Sequence, residues 1–187
     1  MAKKKETEIF DLYDLMLEQL RDLYDGEQQQ LEALPTFNKK AFSFELREII
    51  EWHEGETKRQ LVRLDSIFNI LQEQPEGEHC DGIKGLISEA YKLHARCQNP
   101  EVCDAALITA IQHINHYEIA GYGTAIAYAK ALERHEVAEL LLKSLGEERQ
   151  ADYGLSDLAE GQINPDAKWS SLIKKIESRE QQKERPA

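Results

Sequence analysis

Four long stretches of this chain place an apolar residue every three or four positions, and no stretch alternates apolar with polar for long enough to read as a strand. That period is the signature of amphipathic helix, so the expected class is all-α. In the first stretch Tyr13, Met16, Leu20, Leu23, Leu31 and Leu34 form one stripe on a helix expected from Ile9 to Leu34, with Pro35 ending it. Ser43 is a good N-cap for a second helix reaching Leu71 on the stripe Leu46, Ile49, Ile50, Leu64, Ile67 and Leu71. A polar loop from Gln72 to Gly82 follows, then a short helix from Ile83 to Arg96. Asn99-Pro100 pairs an N-cap with proline at the first helical position. The helix it opens is expected to reach about Leu132 on Leu107, Ile111, Ile114, Gly121, Ala125 and Leu132. Glu133-Arg134-His135 is a tight link into a fourth helix, on Val137, Leu141, Leu155 and Ala159, ending near Gly161. Asn164-Pro165 then opens a last segment with Trp169 and Leu172, and the charged stretch from Lys174 on is expected to fray.

Short links force antiparallel neighbours, so the chain reads as two helical hairpins. The connection of nearly thirty residues between them is long enough for the second hairpin to cross over the first, the arrangement of a ferritin-like four-helix bundle with its single long connection. The expected organisation is a bundle over residues 1–163 and a partly disordered C-terminal extension over 164–187.

Each long helix also carries an acid where its stripe calls for a hydrophobe. Glu27 lies midway between Leu20 and Leu34; Glu118 sits between Ile114 and Gly121; Glu148 lies midway between Leu141 and Leu155, with Asp152 one turn on. His53 and Glu56 continue the face of Ile49 and Ile50. Seven residues are two helical turns, so these side chains point inward. A buried carboxylate is costly unless paired or metal-bound, and no lysine or arginine on the same stripes offers itself as a partner. The acids also match in height. Residues equidistant from a hairpin turn share a level, and Glu27 with Glu56 or His53 centres on the first link, Glu118 with Glu148 or Asp152 on the second. Docking the hairpins gathers one cluster, and carboxylates with one imidazole suit Fe or Mn rather than soft metals. The expected centre holds two Fe or Mn ions on Glu27, His53, Glu56, Glu118, Glu148 and Asp152, with Glu56 and a partner such as Glu148 bridging. The usual di-iron motif is Glu-x-x-His, whereas this chain has the reverse order, His53-x-x-Glu56, and no histidine beside Glu148.

Composition narrows the function classes. The formal net charge of −12 argues against a nucleic-acid binder, and Lys3-Lys4-Lys5 is a short exposed charge run. No apolar stretch is long enough to span a membrane, no signal-peptide core is visible, and a cytoplasmic location is the expectation. Cys80, Cys97 and Cys103 are an odd number for a disulfide framework. With His79 and His94 they match no common zinc spacing and read as loop and helix-face residues. His116 is either a second-layer partner of the acids or a satisfied core histidine. Tyr24 and Tyr122, one turn from Glu27 and Glu118, either hydrogen-bond the acids or pack the core.

The residues Asp22 to Gln29, His53-Glu-Gly-Glu56-Thr57, Asp104 to Ile108, His116-Tyr-Glu118-Ile-Ala120 with Tyr122-Gly123, and Glu147-Glu148 through Asp152 to Ala159 resemble, in this order, the YciF-like (YciE/YciF) stress-protein family of the ferritin-like superfamily. The resemblance implies a ferritin-like bundle, a homodimer, a di-metal site and a stress-linked role, and it supplies no reaction. Chemistry on peroxide or oxygen is the expected use of such a centre. The alternatives are a non-catalytic dimeric stress or interaction protein on the same scaffold, and an iron-storing shell.

Overall fold

The computed structural model describes residues 8–75 and 79–170. Within them lie five helices: α1 (Leu12–Lys40), α2 (Phe44–Leu71), α3 (Asp81–His94), α4 (Pro100–Ala131) and α5 (His135–Leu158), the last running into a π-helical turn, Ala159–Ile163. No strand occurs among the described residues. The lysine run at the N-terminus and the stretch from Lys174 on lie outside them.

Local chemistry sets the helix starts. Asp11 accepts from the amides of Tyr13 and Asp14 at 2.8 and 2.9 Å, Ser43 Oγ from Leu46 at 3.2 Å, and Asn99 Oδ1 from Glu101 and Val102 at 3.0 and 3.3 Å. α2 and α4 both end on a left-handed residue that is not glycine, Gln72 and Glu133, each with φ of 58°. At the second, Arg134 N–H reaches Ala129 C=O and Glu133 N–H reaches Lys130 C=O, the paired bonds of a Schellman ending. A Cβ in this conformation costs about 1–2 kcal/mol, partly offset by the about 0.5–1 kcal/mol of extra backbone entropy that glycine loses on folding. Glu133→Gly is therefore expected to raise the urea midpoint by an amount equivalent to about 0.5 kcal/mol. A lowered midpoint would mean that the Glu133 side chain itself stabilises the link.

Two prolines behave differently from the expectation. Pro35 does not end the first helix; it lies inside α1, which continues to Lys40. An internal proline costs about 3 kcal/mol through its missing N–H and its clash with the preceding turn. The turns around it bury Leu34, Phe37 and Ala41, and fully burying one large apolar side chain contributes about 1.5–3 kcal/mol, enough together to carry the helix past the break. Likewise Asn164-Pro165 does not open a separate segment. The chain stays helical to residue 170, because the wider π-helical turn just before Pro165, closed by Asn164 N–H on Ala159 C=O, leaves room for the ring.

The long helices pack in a closed cycle, α1 on α2 and α4, and α5 on α2 and α4, with α3 laid over α1 and α4. Cross-helix bonds give the directions. Gln30 meets Glu118 while Ala41's neighbours Phe42 and Ser43 meet Asp104, so α1 and α4 are antiparallel. Gln60 meets Glu148 while Arg63 meets Ser144, so α2 and α5 are antiparallel. α2 and α4 thus run the same way, and the chain between them has to travel back along the helices. α3 lies on that return path and buries Ile83 and Ala90. No helix among the described residues is long and apolar enough to cross a membrane.

The interior is not one apolar core but two. One joins Leu20 and Leu23 of α1 to Leu64 and Ile67 of α2, Tyr122 and Ala125 of α4, and Leu141 of α5. The other joins Leu34 and Phe37 of α1 to Leu46 and Ile50 of α2, Ile111 and Ile114 of α4, and Leu155 of α5. On every long helix, buried polar residues lie between the two.

Candidate metal centre

Between the apolar clusters α1 contributes Glu27 and Gln30, α2 contributes His53, Glu56, Thr57 and Gln60, α4 contributes Asn115 and Glu118, and α5 contributes Glu148. All are buried. Glu27 and Glu148 are 0% exposed, Glu118 1%, His53 2% and Glu56 6%. Gly121 lets α4 approach α1 closely here: a Cβ at that position would stand 2.9 Å from Leu23 Cδ2. That approach brings Tyr122 across to Glu27.

Each acid in the layer has one protein donor. Tyr122 Oη donates to Glu27 Oε1 at 2.5 Å, Gln60 Nε2 to Glu148 Oε1 at 2.7 Å, and Gln30 Nε2 to Glu118 Oε1. Glu56 has a cation instead: Arg59 Nη2 stands 2.5 Å from its Oε1, at the solvent edge of the layer. The other oxygens of Glu27, Glu118 and Glu148 are buried without a donor, as are both ring nitrogens of His53 and both side-chain polar atoms of Asn115. Satisfied buried polar groups are the rule in folded proteins, so this concentration of half-satisfied ones in one layer is unusual.

The electrostatics agree with that shortage. Burial pushes the Glu27 carboxyl well above its ordinary range, Glu148 adds to the shift, and the Tyr122 hydroxyl opposes it. Burial also pushes Glu118 well up, with Glu27 and Glu148 next in effect. Glu148 is raised by burial too, but His53, Gln60 and Glu118 all favour its charged form. Of these two neighbouring acids, Glu118 is held the more strongly in its neutral form. Tyr122 is driven well above its usual value by burial and then by Glu27 and Glu118, so it remains a donor.

Asp152 is set apart from the other acids. It is half-buried, with Gln112 Nε2 at 3.0 Å from Oδ1 and His116 Nε2 at 3.3 Å from Oδ2. His116 is mostly exposed and serves Asp152, so it is not a core histidine. Tyr122 fills both of the roles left open for it, as a fully buried core residue and as the donor to Glu27. The expectation that no arginine neutralises an inward acid is corrected at Glu56. Arg59 lies off the apolar stripe, yet three residues along a helix is close enough for its long side chain to reach back. Gln30, Gln60 and Asn115 were not singled out from the sequence. The available signal was their spacing, since Gln30 follows Glu27 by three residues and Gln60 follows Glu56 by four, on the same faces. Cys80, Cys97 and Cys103 are all free, and Cys80 caps α3 by accepting from Ile83 N–H at 3.4 Å.

Donor type and orphaned atoms both fit hard divalent cations: carboxylates and one imidazole, several with no partner. Yet among the described residues no three His, Cys, Asp or Glu side chains are gathered closely enough to hold an ion as they stand.

Residues 11–168 match the model of a family described as a domain of unknown function, DUF892. The chain belongs to this family. It is 34% identical over 155 residues to YciF of Escherichia coli strain K12, a match covering 82% of this chain and 93% of that protein. The crystal structure of the E. coli stress protein YciF superposes with a TM-score of 0.80 at 33% identity, covering 83% of this chain and 99% of that one. YcfI of Rhodopseudomonas palustris, for which a structural role has been suggested, gives 0.79 at 38% identity over 81% of this chain and 97% of its own. A protein of Xanthomonas campestris pv. campestris shares the fold at 17% identity and a TM-score of 0.63, over 91% of this chain and 99% of its own.

Proposed function

We propose that this chain is a ferritin-like four-helix bundle that holds two Fe or Mn ions in the layer between its two apolar clusters and works in stress protection. The observation that carries the reading is the set of buried, donorless atoms on Glu27, His53, Glu118 and Glu148, contributed by all four long helices to one level. A carboxylate is tolerated in such a place when it coordinates a cation. The parallel run of α2 and α4 across a long connection supports the ferritin-like topology. The description of E. coli YciF as a stress protein supports the biological setting.

In this reading Glu27, His53, Glu56, Glu118 and Glu148 would hold the ions. Asp152 is the outlying member, reached only if it leaves Gln112 and His116. Gln30, Gln60 and Tyr122 hold one oxygen of each acid and leave the other for the cation, the usual service of second-layer donors. Redox-active ions so bound would supply electrons to peroxide or oxygen. Tyr122, which donates to Glu27, would then be a proton donor beside them. The same reading takes the protein to be a cytoplasmic homodimer, which size-exclusion chromatography separates at once from a storage shell.

Metal analysis of purified protein tests this directly. Wild type loaded with Fe or Mn is expected to carry about two ions per chain, as two-metal carboxylate bundles do. Glu118→Ala should lose most of that content while remaining folded. Equal metal in mutant and wild type would defeat the assignment.

A second reading is supported by a different observation: every acid already has one protein donor, and no three ligand-type side chains converge. This is a non-catalytic stress or interaction scaffold, in keeping with the structural role suggested for YcfI. It expects no stoichiometric metal and a melting temperature indifferent to chelator.

A further inference from the structure

Two arginines of α2 stand at the edge of the polar layer, and they are held very differently. Arg63 is 13% exposed and is gripped from three sides: its guanidinium donates to Ser144 Oγ at 2.6 Å and to both oxygens of Glu147 at 2.9 Å. Arg59 is 55% exposed, and its side-chain bonds are to a single residue, Glu56, through Nη2 at 2.5 Å and Nε at 3.4 Å. The guanidinium lies back along its own helix over Gly55, where a Cβ would stand 3.7 Å from Nη1. More than half of the Arg59 side chain is open to solvent, which gives it somewhere to go. Glu56 is the outermost acid of the layer, and the others are sealed more deeply.

We propose that Arg59 is the latch of the cation site: its guanidinium stands where a divalent ion first meets the layer, and binding at Glu56 swings it out into solvent. The inference rests on the metal reading given above. A guanidinium is a monovalent, tethered and half-hydrated partner, so a dication that also reaches His53 and the inner acids displaces it. Glu56 faces a cation in both states, so the acid is never left buried and unpaired. Arg63 cannot play this part, because moving it would strip two partners on α5 and loosen the packing of α2 against α5. Arg59 is a positioning residue for Glu56, not a ligand.

The test is the rate at which chelator-treated full-length protein takes up Co²⁺, followed by its visible absorption after rapid mixing. Arg59→Gln is compared with wild type, with Arg59→Lys, and with Lys58→Gln. Lys58 is the neighbouring exposed cation, paired only with Glu54 at 2.6 Å, so its removal changes the net charge equally without touching Glu56. Arg59→Gln is expected to speed uptake about tenfold, the factor that corresponds to about 1.4 kcal/mol. Arg59→Lys should fall between it and wild type, and Lys58→Gln should match wild type. Equal acceleration by Arg59→Gln and Lys58→Gln would reduce the effect to surface charge and overturn the latch, as would unchanged uptake in Arg59→Gln. Equilibrium dialysis against Co²⁺ separates the two levels of the argument. Wild type that binds Co²⁺ at an Arg59-independent rate loses only the latch, whereas wild type that binds none loses the metal site and the latch together.

Discussion

Chelator-treated protein should melt at progressively lower temperature as the pH is raised from about 5 to about 8, and divalent metal should reverse that trend. The sign follows from the buried acids. Glu27 and Glu118 are held well above, and Glu148 above, their ordinary pKa. Below the ordinary carboxylate value of about 4.3, folded and unfolded chains are both protonated at these positions and nothing is lost. Above it the unfolded chain releases protons that the fold retains. Stability then falls by up to about 1.4 kcal/mol per pH unit for each such acid, until its folded pKa is passed. A bound cation works the other way, because its ligands must be deprotonated and its affinity climbs with pH. At a free concentration about a thousandfold above Kd, one ion adds about 4 kcal/mol. Differential scanning calorimetry across this range, with chelator and then with Mn²⁺, reads both limbs. Glu118→Gln, which cannot ionise, should flatten the chelated profile. A chelated melting temperature that stays level from about pH 5 to about pH 8 would refute the electrostatic account of the layer. A slope that Mn²⁺ leaves untouched would favour the scaffold reading over the metal one.

Asp104→Ala is expected to destabilise the fold by about 2–5 kcal/mol. Asp104 is buried in the first turns of α4, and its two oxygens accept the backbone N–H groups of Phe42 and Ser43 at 2.8 and 2.7 Å. Those amides form the link between α1 and α2, where neither helix can satisfy them. Truncation strands two donors and removes two charge-assisted bonds, each stranded donor costing about 1–3 kcal/mol. Asp104→Asn retains one acceptor oxygen and should lose about half as much. Urea unfolding measures it, with an unchanged m-value showing that the fold itself persists. A loss below about 1 kcal/mol would mean the link is held by its own helices rather than by α4. The bond also matters for function, because it sets the height of α4 against the first hairpin. Glu118 lies on α4, and its level relative to Glu27 and His53 depends on that clamp.

How much of this could be read from residues alone depends on the range of the interactions involved. Ser43, Asn99 and Pro100 act within one turn of their own helices, and the starts of α2 and α4 fall where those residues put them. The inward acids were legible for a similar reason. Heptad spacing from Leu20 to Glu27 to Leu34, or Leu141 to Glu148 to Leu155, fixes the face of a helix regardless of its neighbours. Pro35 misled because its local penalty is set against the burial of Leu34, Phe37 and Ala41, a contest decided by partners on other helices. Asp152 shares the face of Glu148, yet it is engaged by Gln112 and His116 of α4, and nothing in the spacing within α5 encodes that.

The amino-acid order by itself determined an all-helical chain, the faces its helices bury, and the presence of charge on those faces, since each is a property of one helix and its period. Tertiary structure alone decided that the charge forms a single layer between two apolar clusters, that Gln30, Gln60 and Tyr122 each hold one acid, and that His53 is left without a hydrogen-bond partner. The physical reason is reach. Periodicity is a rule about residues a few positions apart, whereas Gln30 and Glu118, or Gln60 and Glu148, stand 88 positions apart and meet only because two hairpins dock at one height.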